Sequence, residues 1–345
     1  MQTDQKSDLL FVPVIDHVKN TAEAVDCTGS ALMIMQDGGV VLEEYWGKQS
    51  KEEDAKKVQA TTQFHIASVR KCYIGFAAAY AVHKGFIRSI DDLVTEYVPA
   101  NEPELFEGVT IRHLLTHTHG LKKSGSEIQR EFPAGERWAY RGIGIDTLTE
   151  VIENATGRSI AEILTEQVFS KLDFTETGWH AEMNGNLVDV IRDPDDISWY
   201  NDTSVSGNER NMYVSVRELA KWGELHLNKG RAAGEQLVPS DIIELATSVQ
   251  SPKMLEADLP QNGFLWFVKD MPAKQTEIGD SVPEGSFQIL GYTGVTLLVI
   301  PKYNLVAVRA FNSFGSPAGY DYLEDVRAFG DKVVGCILKG EQTGD

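Results

Sequence analysis

The stretch Phe64-His65-Ile66-Ala67-Ser68-Val69-Arg70-Lys71, followed by Cys72-Tyr73-Ile74-Gly75-Phe76-Ala77-Ala78-Ala79-Tyr80, decides how the rest of the chain is interpreted. It predicts a short strand or loop that runs into a helix. Ser68 and Lys71 are three residues apart, so on a helix they share a face and the amine can reach the hydroxyl. The backbone N–H of a serine in the first helical turn can also donate to a developing oxyanion. The stretch is therefore a candidate acyl-transfer site.

The pattern S-x-x-K is expected about once by chance in a chain of this length, so it needs support from the rest of the sequence. A serine that is acylated with a lysine partner commonly uses a second base and a strand backbone as well. Tyr140 follows Arg137-Trp138-Ala139 at a predicted turn before a helix. Thr293-Gly294 stands at the start of a predicted strand. Both expected partners are thus present.

Composition excludes several classes of function. The 345 residues contain 42% hydrophobic residues, enough for a sizeable core. The 51 acidic and 32 basic residues give a net charge of −19, which repels phosphate backbones and anionic lipids. We therefore expect neither nucleic acid nor a membrane surface as a partner. Cys27, Cys72 and Cys336 are far apart and form no C-x-x-C pair, so neither a disulfide framework nor a zinc site is predicted.

The N-terminal segment does not have the pattern of an export signal. Asp4 and Asp8 precede its short apolar run, and Pro13 interrupts that run. We expect no signal peptide and hence a cytoplasmic location. No later segment reaches 18 uncharged apolar residues, so no membrane-spanning helix is predicted.

The order of periodic segments predicts an α+β fold. A hairpin around Asp37-Gly38-Gly39 comes early, helical periods dominate residues 68–230, and strand patterns return at 264–268, 286–290, 295–300 and 305–312 before a last helix at 322–338. This order favours one antiparallel sheet built from both ends of the chain, with a helical insertion. Residues 1–63 and 236–345 are predicted to form the sheet domain and residues 64–235 a mainly helical domain. The site would lie at their seam.

With these motifs the chain resembles the serine β-lactamase and penicillin-binding-protein family, especially its class C β-lactamase and carboxylesterase branch. Further matching segments follow in the same order over nearly the whole chain: residues 89–94, 110–121, 133–136, 151–159 and 215–222. The resemblance implies the β-lactamase/DD-peptidase-like fold, an antiparallel sheet flanked by helices. It implies no cofactor and no metal.

The resemblance also implies roles for particular residues. Ser68 would be the nucleophile, Lys71 its proton partner, and Tyr140 a second general acid and base. The backbone N–H groups of Ser68 and Val295 would form the oxyanion hole. A lysine ammonium next to Tyr140 is expected to favour the phenolate form of the tyrosine.

Two positions depart from the family pattern. Gly142 replaces the asparagine of Tyr-x-Asn, whose amide normally contacts the lysine and the acyl side of the substrate. Tyr292 replaces the lysine or histidine before Thr293-Gly294, so a neutral hydroxyl worth about 1 kcal/mol stands where an ionic bond gives about 2–3 kcal/mol to a substrate carboxylate. Arg141 is a candidate for the missing cation. The predicted substrate-binding residues are Arg141, Gly142, Tyr292, Thr293 and Gly294.

The histidines and aromatic residues have two interpretations each. His65 is a packing residue or a triad base, and His113, His117 and His119 are structural or a metal cluster. For both, the structural interpretation is favoured. The aromatic residues assigned mainly to the core are Trp138, Trp179, Tyr200, Trp222 and Trp266. A pocket is the less favoured alternative for Tyr200 and Tyr213.

The sequence therefore predicts a serine hydrolase that cleaves a small-molecule ester or amide through an acyl-enzyme on Ser68. The changes at Gly142 and Tyr292 favour an esterase or an amidase of peptidase type over an efficient β-lactamase. The alternative is a catalytically impaired penicillin-binding-like protein that acts as a binding module. The presence of Ser68, Lys71 and Tyr140 together favours the enzyme. A cell-wall peptidase would require export, which the N-terminal segment does not indicate.

Overall fold

The computed structural model of the protein describes residues 9–99, 103–191, 202–253 and 258–343. Its α-helices are α1 (Val12–Ala24), α2 (Arg70–His83), α3 (Ile111–Leu115), α4 (Gly142–Thr156), α5 (Ile160–Leu164), α6 (Val216–Leu227), α7 (Ser240–Thr247) and α8 (Tyr322–Thr343). Its strands are β1 (Gly29–Gln36), β2 (Gly39–Gly47), β3 (Gln63–His65), β4 (Leu121–Ser124), β5 (Glu127–Arg130), β6 (Thr177–Trp179), β7 (Met212–Ser215), β8 (Arg231–Ala232), β9 (Glu235–Gln236), β10 (Phe267–Val268), β11 (Phe287–Leu290), β12 (Thr296–Ile300) and β13 (Leu305–Phe311).

The main sheet has six antiparallel strands in the order β10-β11-β12-β13-β1-β2. The β1–β2 hairpin turns at Asp37 and Gly38, whose φ angles of 51° and 76° are the positive values that a tight hairpin turn needs. β1 pairs on its other side with β13, so strands from both ends of the chain share one sheet. The predicted α+β fold is confirmed. The predicted domain boundaries at residues 63/64 and 235/236 stay a prediction.

Alternate side chains of the sheet enter two different cores. In β1, Leu32 and Ile34 face α1 and α8, whereas Ala31 and Met33 face the opposite way. α6 covers that opposite face, where it packs on β12, β13 and β1. The period of two residues, with both faces buried, explains why these strands read as nearly continuous apolar runs in the sequence.

α2 is the central helix of the larger core. Nearly all of its residues are buried, as is typical of a helix that is apolar on every face. It packs against α4, α5 and α7. A Cβ on Gly75 would lie 2.2 Å from the carbonyl oxygen of Phe264, so this close approach of helix and chain requires glycine.

Three local predictions were wrong. The spacing of apolar residues at 90–97 predicts a helix, but these residues form turns and a short 3₁₀ helix, Val94–Glu96, because Leu93 pairs with Thr110. Of residues 264–268 only Phe267–Val268 is a strand, since Leu265 has a φ of 66° and its N–H donates to Leu115. The four-residue spacing of His113 and His117 predicts that they share a helix, but α3 ends at Leu115 and His117 lies beyond it. The stretch Asp193-Pro194-Asp195-Asp196, which predicts a turn, and Tyr200, assigned to the core with a pocket as the alternative, lie outside the described residues.

No helix within the four described segments is both long and apolar enough to cross a lipid bilayer. The three cysteines are free thiols: Cys27 is half-buried, while Cys72 and Cys336 are buried.

A buried ion pair joins the terminal helices to the sheet. The guanidinium of Arg309 in β13 donates to the carboxylate of Asp325 in α8. Asp325 also accepts hydrogen bonds from Thr21 in α1, at 2.5 Å, and from Tyr320, at 2.8 Å. Burial alone would raise the pKa of Asp325, but the Arg309 charge and hydrogen bonds from His17, Arg309 and Thr21 hold it far below its usual range.

We predict that Asp325→Asn lowers the free energy of unfolding by about 3–5 kcal/mol, because Arg309 is then left as an uncompensated buried charge. Denaturant unfolding at neutral pH measures the change. Because the folded pKa of Asp325 is depressed, this contribution is present above about pH 3.9 and is lost as the pH falls below it. Glu324→Gln, an exposed neighbour on α8, is the control and should change stability by less than about 0.5 kcal/mol. Equal stability of both variants would contradict the prediction.

Candidate active site

Ser68 lies in a tight turn between β3 and α2. The turn is a 3₁₀ helix, Ala67–Val69, so the serine stands just before the α-helix and Lys71 is the second residue within it. Ala67 has a φ of 46°, a left-handed conformation that costs a non-glycine residue free energy. The N–H of Ala67 donates to Nδ1 of His65 at 3.2 Å, which helps to hold the turn. The strained turn directs Ser68 into a cavity that it shares with Lys71.

The amine of Lys71 lies between two hydroxyl groups. Its Nζ is 2.6 Å from Oγ of Ser68 and 2.7 Å from the hydroxyl oxygen of Tyr140. The side chain is only 7% exposed. Burial, and next the positive charge of Arg70, hold the pKa of Lys71 well below its usual value. A neutral amine at this position has a lone pair that can accept the proton of Ser68.

Tyr140 lies immediately before α4, which begins at Gly142 after the cap residue Arg141. The ring of Tyr140 packs against that of His117, with 4.6 Å between their centroids. Although 37% of Tyr140 is exposed, burial of its surroundings raises the pKa of the phenol above its usual value. Both shifts favour the uncharged forms, a phenol next to an amine, over the expected phenolate and ammonium. The reason is that desolvation disfavours both charged forms.

The Thr293-Gly294 turn is hydrogen-bonded to β3, the strand that precedes Ser68. The hydroxyl of Thr293 donates to the carbonyl oxygen of His65 at 2.6 Å. Gly294 has a φ of 85°, and a Cβ there would lie 2.5 Å from the ring of Phe311, so the turn requires glycine. Val295 follows, immediately before β12, and is buried. The role of its N–H in an oxyanion hole stays a prediction.

The two altered motif positions have different surroundings. Tyr292 is 43% exposed, and its ring meets Phe314 edge-on at 4.9 Å and Tyr322 at 6.1 Å. It thus forms part of an aromatic surface. A Cβ on Gly142 would meet no atom within 4 Å, so the position of the missing asparagine is open space.

Arg141 already has a partner. Its Nε and Nη2 donate to the two carboxylate oxygens of Glu131 at 3.0 and 2.9 Å. This bidentate pair raises the pKa of Arg141 and lowers that of Glu131. Arg141 stands at the edge of the cavity, and its assignment as the missing cation stays a prediction.

The cavity at Ser68 has a volume of about 640 Å³. It is lined by charged, polar and apolar residues: Ala67, Ser68, Arg70, Lys71, Lys123, Gly125, Arg141, Gly142, Ile143, Ile145, Asp146, Asp202, Asn208, Glu209 and Arg210. Sequence reasoning did not identify six of its charged members: Arg70, Lys123, Asp146, Asp202, Glu209 and Arg210. Arg70 had a signal, because it lies inside the S-x-x-K motif itself.

Glu277 is a further residue that sequence reasoning missed. Burial raises the pKa of its carboxyl group to about 7, while the nearby Lys71 lowers it. Its Oε2 is buried and has no hydrogen-bond partner in the part of the chain that the structure describes. No sequence signal identified it, since Glu277 lies outside every recognised motif.

His65, His117 and His119 are buried, and burial lowers the pKa of each below the ordinary histidine value. Burial, followed by the charge of Arg70, lowers the pKa of His65 to about 3, and its ring meets Tyr213 edge-on at 5.0 Å. Burial likewise lowers the pKa of His119 to about 4 and that of His117 well below its usual value. No group of three potential metal ligands comes together among the described residues.

Comparison with known proteins is consistent with this geometry. A family model described as "Beta-lactamase" matches residues 14–331. An uncharacterized protein of Alkalihalophilus pseudofirmus is 56% identical over 328 residues, which is 95% of this chain and 97% of that protein.

Solved structures share the fold at low sequence identity. The hydrolase EstCE1, described as having promiscuous acyltransferase activity, has a TM-score of 0.72 and 19% identity, and the match covers 96% of this chain and 100% of EstCE1. A class C beta-lactamase in complex with cefoxitin has a TM-score of 0.72 and 15% identity, over 96% of this chain and 99% of that structure. At these identities the likeness concerns the fold.

We predict that Thr293→Val lowers the free energy of unfolding by about 1–3 kcal/mol, because the buried carbonyl of His65 loses its hydrogen bond. Thr293→Ser keeps the hydroxyl and serves as the matched control, with a smaller loss. Urea unfolding of the two variants and the wild type gives the comparison. If Thr293→Ser lost as much stability as Thr293→Val, the contact with His65 would not be the cause.

Proposed function

Because the chain belongs to the beta-lactamase family, whose members include β-lactamases, penicillin-binding-protein homologues and esterases, we propose that it is a serine hydrolase that cleaves an ester or an amide. Ser68 is the nucleophile, Lys71 the base, and Tyr140 the second proton carrier. The observation that carries the proposal is the buried Lys71 amine, which lies within hydrogen-bond distance of both Ser68 and Tyr140.

In the acylation step, the neutral amine of Lys71 takes the proton of Ser68 while Oγ bonds to the substrate carbonyl carbon. The N–H groups of Ser68 and Val295 stabilise the negative charge on the carbonyl oxygen. The bond to the leaving group then breaks. Tyr140 gives its proton to the leaving group and regains one from the Lys71 ammonium, so the phenol and the amine are both restored.

Deacylation uses the same groups in reverse. Tyr140 passes its proton to the neutral Lys71 amine and takes one from water, while the water oxygen bonds to the acyl carbon. The bond from that carbon to Oγ of Ser68 breaks, and Ser68 takes its proton back from Lys71. The free acid leaves. A neutral amine and a neutral phenol are the resting forms that this cycle needs, and burial favours both.

The surroundings favour an esterase or amidase over an efficient β-lactamase. Tyr292 offers a hydroxyl and an aromatic surface where a substrate carboxylate would need a cation. Gly142 leaves open space where an amide would hold the acyl side of a β-lactam. Among the solved structures with this fold, EstCE1 is described as a hydrolase with acyltransferase activity. We extend that type of activity to this chain as part of the proposal.

We predict that a fluorophosphonate probe forms a covalent adduct on Ser68, located by mass spectrometry of the digested protein. A fluorescent penicillin should react at the same residue more slowly. Ser68→Ala should not be labelled, whereas the control Ser240→Ala, which removes an exposed serine, should behave like the wild type. p-Nitrophenyl acetate should be hydrolysed by the wild type and by Ser240→Ala only.

Equal labelling of Ser68→Ala, or no labelling of the wild type, would overturn the proposal. Labelling of Ser68 without any ester hydrolysis would instead favour the binding module.

A further inference from the structure

Arg70 is a buried cation without a full set of partners in the wall of the Ser68 cavity. Its side chain is 6% exposed, and its Nη1 has no hydrogen-bond partner among the residues that the structure describes. It lines the same cavity as Ser68. A buried charge left uncompensated costs several kcal/mol, so a protein retains one where a ligand supplies the opposite charge or function requires it.

The other arginines of this cavity differ from Arg70 because each has a carboxylate partner. Arg141 pairs with Glu131, and Arg210 pairs with Asp202 through Nε at 3.2 Å. Arg70 thus has the charge most available to an incoming anion.

Acidic and basic side chains both lie near Arg70. Asp146 and Asp202 attract its charge and Arg210 opposes it. Asp146 is exposed on α4, and Asp202 is held by Arg210, so neither neutralises the buried guanidinium at contact distance. Water screens the exposed Asp146 carboxylate more strongly than the buried Arg70 charge.

The cavity has room for a small acyl group beside Arg70. Gly142 leaves open space, and Ile143 and Ile145 supply apolar surface. An acyl group with an apolar stem and an anionic end would complement this combination of surfaces. The cavity borders Gly142, whose position corresponds to the acyl-side contact in the family pattern. We therefore place the anionic group on the acyl part of the substrate.

We propose that Arg70 binds a carboxylate on the acyl group, so that the substrates are esters or amides of dicarboxylic acids. This inference rests on the proposed function, since it concerns the acyl group that Ser68 carries. The planar guanidinium can hold a carboxylate through two parallel hydrogen bonds. The net charge of −19 repels anionic substrates at long range, so a preference for them must come from a local site.

The test compares three chromogenic esters. p-Nitrophenyl hemiglutarate carries a carboxylate on the acyl group, and p-nitrophenyl 5-methylhexanoate has the same shape without charge. The 5-methylhexanoyl ester of 5-hydroxy-2-nitrobenzoate carries the carboxylate on the leaving group. kcat/KM is measured for each ester after correction for its spontaneous hydrolysis, with the wild type, Arg70→Gln, Arg70→Lys and the control Arg158→Gln. Arg158 is a surface residue that pairs with Glu166 and does not line the cavity. Arg158→Gln therefore changes the net charge by the same amount as Arg70→Gln, but outside the cavity.

We expect the kcat/KM of the wild type to be about tenfold or more higher for the hemiglutarate ester than for its neutral isostere. This is the ratio expected from one hydrogen bond between charged groups. Arg70→Gln should abolish the preference, Arg70→Lys should keep part of it, and Arg158→Gln should keep all of it. Thermal unfolding checks that the variants are folded. If Arg70→Gln is not folded, the comparison with the wild type is made with Arg70→Lys.

Three results would overturn the inference while leaving the proposed function intact. The first is equal turnover of hemiglutarate and its isostere. The second is a preference for the ester with a charged leaving group. The third is an unchanged preference in Arg70→Gln, or in Arg70→Lys if only that variant folds. Absence of both turnover and Ser68 labelling would overturn the proposed function, and the substrate assignment with it.

Discussion

The buried amine of Lys71, within hydrogen-bond distance of Ser68 and Tyr140, is the contact on which the rest of the site depends. An ammonium ion at this depth would lose its hydration, and the loss outweighs the attraction of Asp146 and Glu277, so burial favours the neutral amine. Arg70, one residue earlier, adds electrostatic repulsion in the same direction. The fold therefore favours the unprotonated, basic form of a side chain that is protonated in water.

The fold supplies this environment by bringing distant segments to one turn. β3 leads into the strained turn at Ala67, and α2 leads away from it into the core. The end of β11 and the Thr293 turn pack against the same residues, where Thr293 bonds the carbonyl of His65. A rigid scaffold from both ends of the chain thus surrounds a polar cluster, and such local strain is typical of functional sites.

Local patterns in the sequence were sufficient for the main elements and for the residues that meet at Lys71. The Asp37-Gly38 turn predicted the first hairpin, and S-x-x-K predicted the approach of Lys71 to Ser68, because both depend on neighbours a few residues away. The direction of the Tyr140 pKa shift was not predictable in this way, since it depends on burial by remote segments. The same holds for the pairing of Arg141 with Glu131 and for the lack of a hydrogen-bond partner for Nη1 of Arg70 among the described residues. The turn at Leu265 depends on a contact with α3, which no local pattern records.

The most direct test of this account is the titration of Lys71 itself. The protein carries ¹³C at the ε position of its lysines, and the Lys71 signal is assigned from its absence in Lys71→Met. The account predicts a titration midpoint well below the ordinary value of about 10.4. A midpoint at or above about 10.4 would mean that Lys71 is an ammonium ion in the resting protein, which would contradict its role as the base for Ser68.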